Sequence, residues 1–395
     1  MDESVFAWPF FDGKHRAEAH AIRAWCDEAL PALAQHREGD PASVNAAVTR
    51  LVEALGRAGL LRACAPAAYG GARDALEARS LCVAREALAE YSALADFAFA
   101  MQGLGSAPIT LYGNEAQKQQ YLPGMVAGTR IGAFALSEPD AGSDVAAMTA
   151  RATRMHDGWR LDGVKTWISN AGIATQYVLF ARGAETSGTQ GISAFIVDAD
   201  AAGLAVEPIE VMAPHPLGTL HLTDCRVADE ALLGAPGQGF KIAMGTLDLF
   251  RSTVGAAALG LARRALDEAA RRAHERSMFG RKLIDMQLTQ AKLGEMAVSI
   301  DASALLVYRA AWTKDVLGTR VTREASMAKL FATESAQQVI DAAVQMFGGL
   351  GVVRGMTVER LYRDVRALRI YEGASEVLKL IIGSSTAEAT RPPEA

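Results

Sequence analysis

Hydrophobic and polar positions change their period twice along the chain. Over residues 17–127 apolar residues recur at helical spacing in Ala-rich segments, and Pro31, Pro41, "APAAYGGARD" and Pro108 are expected to break the helices. "LCVAREALAEYSALADFAFAMQGLG" (81–105) is apolar on most faces and ends at glycine, which predicts one long buried helix. Between residues 130 and 233 the texture shortens. "WRLDGVKTWISNAG", "YVLFARG", "GISAFIVDAD" and "TLHLTDCRV" are β-branched and aromatic runs separated by Gly, Asn and Asp, the pattern of a compact antiparallel sheet. After "GAPGQGF" the helical period returns. Leu293, Ala297, Ile300, Ala304 and Val307 fall on one helix face, as do Val339, Ile340, Ala343, Val344 and Phe347. Long apolar helices of this kind form the core of a bundle. The fold class expected is therefore α+β, mostly α. It has a helical domain over residues 1–130, a β domain over 131–233, a helical bundle over 234–385 and a disordered tail over 386–395.

Composition narrows the function classes. With 395 residues, 50% hydrophobic, the chain can bury a large core. The net charge is -5 and the 40 Lys and Arg residues are scattered, so no basic stripe points to nucleic acid. Cys26, Cys64, Cys82 and Cys225 show no paired spacing, which suits a reducing compartment. The start "MDESVFAWPFF" lacks the positive region of a secretory signal, and no apolar run reaches the length of a membrane span. A soluble, cytoplasmic protein is expected.

Several catalytic motifs are missing. No Cys-x-x-Cys or His-Glu-x-x-His spacing occurs, so no metal site is expected, and there is neither a Walker lysine loop nor a Gly-x-Ser-x-Gly elbow. "GGLGVVRG" (348–355) has the wrong glycine spacing for a dinucleotide fingerprint. "SMAK" (326–329) matches Ser-x-x-Lys formally, but it lies mid-helix without its companion motifs and reads as a helix surface. Chemistry on such a chain would come from a bound organic cofactor.

What remains is a set of motifs, each with a bland alternative. "FALSEPDAGSDV" (134–145) offers the hydroxyls and amides of Ser137, Gly142 and Ser143 to a heteroaromatic ring or phosphate, or is an ordinary polar turn. In "KTWISNAG" (165–172), Trp167 gives a flat face and Ser169 a hydroxyl on the same side of a strand, or Trp167 is a half-buried sheet residue. "ERSMFGRKLIDMQ" (275–287) carries Arg276, Phe279 and Gln287, which suit a diphosphate-bearing cofactor. "QMFGGLG" (345–351) ends a helix at a Gly pair. "RIYEGASEV" (369–377) puts Glu372 just before an apolar helix, as a helix-start charge or as a base in a dry pocket.

In this order the motifs resemble the successive signatures of the acyl-CoA dehydrogenase family, from residue 17 to residue 383, including "YGNEAQKQQYLPGMVAG" (112–128) ahead of the β module. The resemblance implies an N-terminal helical domain, a central β domain and a C-terminal four-helix bundle, assembled as a homotetramer. It implies FAD as cofactor, with the isoalloxazine held by Phe134, Leu136, Ser137, Gly142, Ser143, Trp167, Ile168 and Ser169, and with Ala374 and Glu376 lying on it. Arg276, Phe279, Gln287, Gln345, Gly348 and Gly349 resemble residues that reach a neighbouring subunit's FAD. Ser143, Asp248, Arg251, Tyr371 and Gly373 match positions that contact the acyl-CoA thioester.

Glu372 then takes the role of catalytic base. The reaction implied is α,β-dehydrogenation of an acyl-CoA in fatty acid metabolism, with a hydride passing to flavin N5 and an electron-transfer flavoprotein as acceptor. In the family the backbone amide of the catalytic Glu helps to bind the thioester oxygen. Isovaleryl-type members take their base from the position of Phe250, which cannot serve. Glutaryl-type members carry an Arg on the helix before "PITLYG", and "ALADFAFAMQGLG" has none. "VMAPHPLGTLHL" (211–222) departs from the usual Gly-rich, Ser/Thr-rich loop, and Phe97, Phe99, Met101 and Met244 are pocket-wall candidates or plain core. An acyl-CoA oxidase, a flavin monooxygenase and a non-catalytic scaffold on the same fold are the alternatives, separated by peroxide formation in air and by FAD loading.

Overall fold

The computed structural model describes residues 3–37, 39–183 and 188–391. Helices come first: α1 (Gly13–Leu33), α2 (Pro41–Arg57), α3 (Ala78–Tyr91), α4 (Ala93–Tyr112) and α5 (Glu115–Val126). The strands β1 (Gly132–Ala135), β2 (Arg151–Met155), β3 (Gly158–Ser169), β4 (Gln176–Gly183), β5 (Ile192–Asp198), β6 (Leu204–Pro208), β7 (Leu217–Val227) and β8 (Leu232–Leu233) follow. Then come α6 (Gly239–Glu275), a hairpin of β9 (Ser277–Met278) and β10 (Arg281–Lys282), α7 (Gln287–Trp312), α8 (Thr322–Phe347), α9 (Thr357–Arg366) and α10 (Ser375–Ala389).

Helix boundaries follow local chemistry where capping is available. Pro41 opens α2 behind an Asp40 cap that accepts from the Ser43 amide, and Asn114 and Gln117 form a capping box on α5. Three expectations fail. Pro31 and Pro108 lie inside α1 and α4 instead of ending them. A helical proline costs roughly 3 kcal/mol, which at Pro108 is offset by complete burial of Ala107 and Ile109. The predicted helix over residues 81–105 is two helices, because the Ser92 hydroxyl accepts from the Ala95 amide and caps α4. The helical run also reaches Ala389, into the segment expected to be disordered; residues 392–395 lie outside those described.

The chain forms two compact units. One contains the described parts of Ala29–Glu77 and Phe97–Leu247. Its eight-stranded sheet has the order β6-β7-β3-β2-β4-β5-β8, with β1 beside β4. Pairing is antiparallel except where β1 and β2 each run parallel to β4, so the sheet is mixed. The strand period separates two cores. Val178, Phe180, Ala194 and Ile196 face Ile109, Leu122, Met125 and Ile242, whereas Tyr177, Leu179, Phe195 and Val197 join Leu161 and Leu220. Gly105 lets α4 approach β1, because a Cβ there would lie 2.9 Å from the Gly132 Cα.

The other unit holds the described parts of Met1–Glu28, Ala78–Asp96 and Asp248–Ala395. Here α8 packs against α7, α9 and α10, and α3 packs on α7. Ile300, Ala304 and Val307 are buried as expected, but Ala297 is exposed and Leu293 only half-buried, while Met296 turns inward. Leu288, Val298 and Leu305 stay exposed on the same helix. The four cysteines are buried and free of disulfides. Among the described residues no helix is long and apolar enough to cross a membrane, and no cluster of metal-ligating side chains occurs.

Candidate active site

Glu372 sits in a turn between a 3-10 segment (Ala367–Arg369) and α10, at φ +54, followed by Gly373 at φ +107. A left-handed φ on a residue with a Cβ costs of order 1 kcal/mol and needs support from its surroundings. That support is visible. The Lys329 ammonium donates to the Gly373 carbonyl at 2.6 Å, and Arg251 Nε reaches the Glu372 carbonyl at 3.5 Å. Below the turn, Glu334 accepts from the Ser375 hydroxyl and pairs with Arg369 at 2.7 Å. The first-turn acid of α10 is Glu376, so the helix-start role belongs to that residue and not to Glu372.

The Glu372 side chain ends in a dry, charged setting. Its Oε2 is buried without a hydrogen-bond partner among the described residues. Burial pushes the carboxyl above its usual range; Arg85, Lys329 and Arg251 pull it back in part, and Asp96 adds to the rise. Arg85 is almost fully buried and grips Asp96 with two bonds of 2.9 Å, while its third arm donates to Thr253 at 3.1 Å. Arg251 donates to Asp248 at 3.0 Å, and Asp248 also accepts from Thr322 at 2.6 Å. The Glu372 amide has no acceptor among the described residues.

Sequence reasoning missed Arg85, Asp96 and Lys329, and placed "SMAK" on a helix surface. The structure corrects this: Ser326 and Lys329 are both fully buried. The Ser326 hydroxyl donates to the Thr322 carbonyl of its own helix, so the pair is no nucleophile motif. A signal was present. Ala325, Ala328, Ala332 and Ala336 form the buried stripe of α8, and Lys329 falls on it.

The β unit carries the other candidates. Glu138 accepts from the Lys165 ammonium at 2.8 Å, the Thr149 hydroxyl at 2.8 Å and the Ala150 amide at 2.9 Å. Lys165 also donates to the Leu136 carbonyl at 3.1 Å, so this buried pair staples the "FALSEPDAGSDV" loop to β3. Gly142 and Ser143 are exposed and Ser137 half-buried. Trp167 is 59% exposed at φ +60, where the β3–β7 register slips between Lys165 and Ile168; Ser169 is half-buried. Ile168 and Leu136 turn their side chains into the cores, and Phe134 packs on Phe180 at 4.9 Å, which leaves the first two only main-chain groups to offer a ligand.

The remaining candidates divide. Arg276, Phe279, Gln287, Gln345, Gly348 and Gly349 are all exposed, Phe279 by 88% at φ +50. Gln345 helps to line a cleft of about 670 Å³ with Lys292, Gln337, Arg366 and Arg369. Asp248 and Arg251 are engaged with each other, Ala374 is half-buried, and Tyr371 and Glu376 are exposed. Phe99, Met101 and Phe250 are core residues, and Met244 packs against the core. Phe97 lies 4.7 Å from the ring of His215, which burial holds below the usual imidazole range.

These features fit a flavin dinucleotide. On the β unit, the aromatic face of Trp167 and the exposed hydroxyl and amides of Gly142 and Ser143 suit a planar ring, and an exposed Arg such as Arg276 on the helical unit suits a diphosphate. A Cβ added at Gly142, Gly348 or Gly349 would meet nothing within 4 Å. Residues 12–129, 133–225 and 237–386 match the N-terminal, middle and C-terminal domains of acyl-CoA dehydrogenase. The chain is 39% identical over 338 residues to the mitochondrial short-chain specific acyl-CoA dehydrogenase of Mus musculus, covering 85% of this chain and 81% of that one. It is 38% identical over 339 residues to the 3-(aryl)acrylate reductase of Clostridium sporogenes, covering 85% and 89%. The butyryl-CoA dehydrogenase structure from Megasphaera elsdenii superposes with a TM-score of 0.88 at 33% identity, covering 95% of this chain and 98% of that one.

Proposed function

The chain belongs to the acyl-CoA dehydrogenase family of FAD-dependent oxidoreductases, and from that premise we propose that it dehydrogenates an acyl-CoA thioester to the trans-2-enoyl-CoA with Glu372 as the base. The observation that carries this reading is the buried, unpartnered Glu372 Oε2 facing a ring of cations. A free carboxylate is too weak a base for an α-proton beside a thioester. Burial strengthens Glu372 as a base, and the neighbouring cations oppose that rise by favouring the ionised form. The Glu372 amide, without an acceptor among the described residues, is available to the thioester oxygen as charge develops there. Bound FAD supplies the hydride-accepting chemistry.

Ser143, Tyr371 and Gly373 are assigned to the thioester, with Asp248 and Arg251 shaping the turn from α6. Phe134, Ser137, Gly142, Trp167 and Ser169, with the main chain of Leu136 and Ile168, are assigned to the flavin, and Ala374 and Glu376 to its far side. Arg276, Phe279, Gln287, Gln345, Gly348 and Gly349 are assigned to a neighbouring subunit's FAD. Their exposure supports that reading, as do the exposed apolar side chains of Leu288, Val298 and Val352. The assembly is then a homotetramer, the acceptor an electron-transfer flavoprotein and the compartment the cytoplasm. The three-part division at residues 130 and 233 is retained.

The test is an anaerobic titration of wild type and Glu372→Gln with short, medium, branched and aromatic acyl-CoAs, read as loss of flavin absorbance. One class is expected to bleach wild type, with Glu372→Gln slower by about 100-fold or more. Equal bleaching of the variant overturns the assignment of the base.

A further inference from the structure

Lys329 has the burial of a core residue and the charge of a surface one. A lysine with no exposure must have partners, because an ammonium taken from water loses far more than one hydrogen bond returns. Among the described residues its one hydrogen bond is to the Gly373 carbonyl, at 2.6 Å. The neighbouring cations are already matched. Arg85 has Asp96 on two 2.9 Å bonds, and Arg251 has Asp248 at 3.0 Å. Of the other acids that attract Lys329, Glu334 is bound to Arg369 and Ser375, and Glu376 is exposed. Glu372 remains, with Oε2 unpartnered. Glu372 is thus the acid left to act on the Lys329 ammonium, through space and without a direct ion pair among the described residues.

We propose that Lys329 is the positioning residue of the base, clamping the turn through the Gly373 carbonyl and supplying the counter-charge of the Glu372 carboxylate. This rests on Glu372 being the base. The clamp holds the residue that follows Glu372 in its left-handed conformation, and so fixes where the carboxyl points. The charge acts on the proton. When Glu372 takes one up, the ammonium loses its counter-charge in surroundings already occupied by Arg85 and Arg251, so protonation is held back. Removing Lys329 lets the carboxyl keep its proton to higher pH. Burial draws the Lys329 ammonium itself down to about 8, which Glu372 opposes, so the pair is coupled from both sides.

The experiment titrates the resting FAD-bound enzyme by infrared spectroscopy, following the carboxylic-acid band that disappears in Glu372→Gln. Lys329→Gln keeps a donor for Gly373 but removes the charge, Lys329→Met removes both, and Lys329→Arg keeps the charge. The midpoint is expected to rise by about one pH unit or more in the Gln and Met variants and to stay near wild type in Arg. Amide exchange over residues 371–374 is expected to quicken in Met but not in Gln. A midpoint unmoved in Lys329→Gln overturns the proposal, and the Gln variant decides it even if Met does not fold. Failure of the base assignment looks different: Glu372→Gln would then bleach with acyl-CoA as fast as wild type.

Discussion

Asp96 holds Arg85 by both carboxylate oxygens, each 2.9 Å from a guanidinium nitrogen, and both side chains are buried beside Glu372. Such a pair contributes little over an apolar replacement, but removing one member strands the other charge. Asp96→Ala is expected to cost about 3–5 kcal/mol in urea unfolding. The double variant Arg85→Met/Asp96→Leu is expected to recover most of that loss. A double variant as unstable as Asp96→Ala would show that the cost lies in packing instead.

The proposed base, Glu372, is held at the expense of the fold. Its carboxyl lies above the usual range in the folded chain, chiefly through burial. A group raised in this way contributes stability below its unfolded value and loses it as pH rises through the folded one. Glu372→Gln is therefore expected to match wild type near pH 4 and to melt roughly 1–3 °C higher at neutral pH. Calorimetry across that range checks it. A constant difference at every pH would mean that the gain does not come from the charge.

The helix–sheet–helix order, the bundle core at Val339, Ile340 and Ala343, and the turn carrying Glu372 were legible because period and motif are local. The Ser92 break and the helix through Pro108 were not. One depends on a single hydroxyl-to-amide bond, the other on burial of neighbouring residues. Lys329 was misread for a related reason. A charged residue on an alanine stripe has two outcomes, and the outcome here is fixed by a carbonyl 44 residues away. Arg85 and Asp96 were hidden similarly: their partnership spans two helices, and each alone looks like a charge interrupting an apolar run.

Trp167 leaves a large apolar ring in solvent on a residue with φ +60. Little packing is lost by truncating it, so Trp167→Ala is expected to leave the melting temperature of the flavin-free protein within about 1 °C. FAD affinity is expected to fall up to about tenfold, the scale of one aromatic stacking contact. Flavin fluorescence during titration measures it. Unchanged affinity would return Trp167 to the role of an ordinary sheet residue.

Gly105 tests the crossing of α4 over β1. An added methyl would lie 2.9 Å from the Gly132 Cα and 3.0 Å from its carbonyl carbon, with backbone on the receiving side. Backbone cannot rotate away as a side chain can. The same crossing is tied by Gln102, which accepts from the Gly132 amide at 2.9 Å and donates to the Arg130 carbonyl at 2.7 Å. Gly105→Ala is expected to destabilise by roughly 1–3 kcal/mol in chemical denaturation, and Gly105→Val by more.

The Glu138–Lys165 pair links stability to the flavin loop. Burial alone would raise the Glu138 carboxyl, but the Lys165 ammonium and the amides of Thr149 and Ala150 outweigh it, so its folded value lies below the usual range. A carboxylate held down contributes stability above its unfolded value and loses it as pH falls through the folded one. Acid unfolding should therefore begin where Glu138 protonates, below roughly pH 4.5. Glu138→Ala removes this dependence and leaves Lys165 buried without its counter-charge, at a cost of about 3–5 kcal/mol at neutral pH. The loop over residues 136–150 loses its staple in the same step, so FAD affinity is expected to fall with stability. Glu138→Gln removes the charge facing Lys165 and leaves one accepting oxygen, which can serve Thr149 or Ala150 but not both. If Glu138→Gln keeps wild-type flavin affinity with reduced stability, one bond is enough to shape the loop and the charge serves only the core. If both fall together, the full carboxylate is needed to hold the loop.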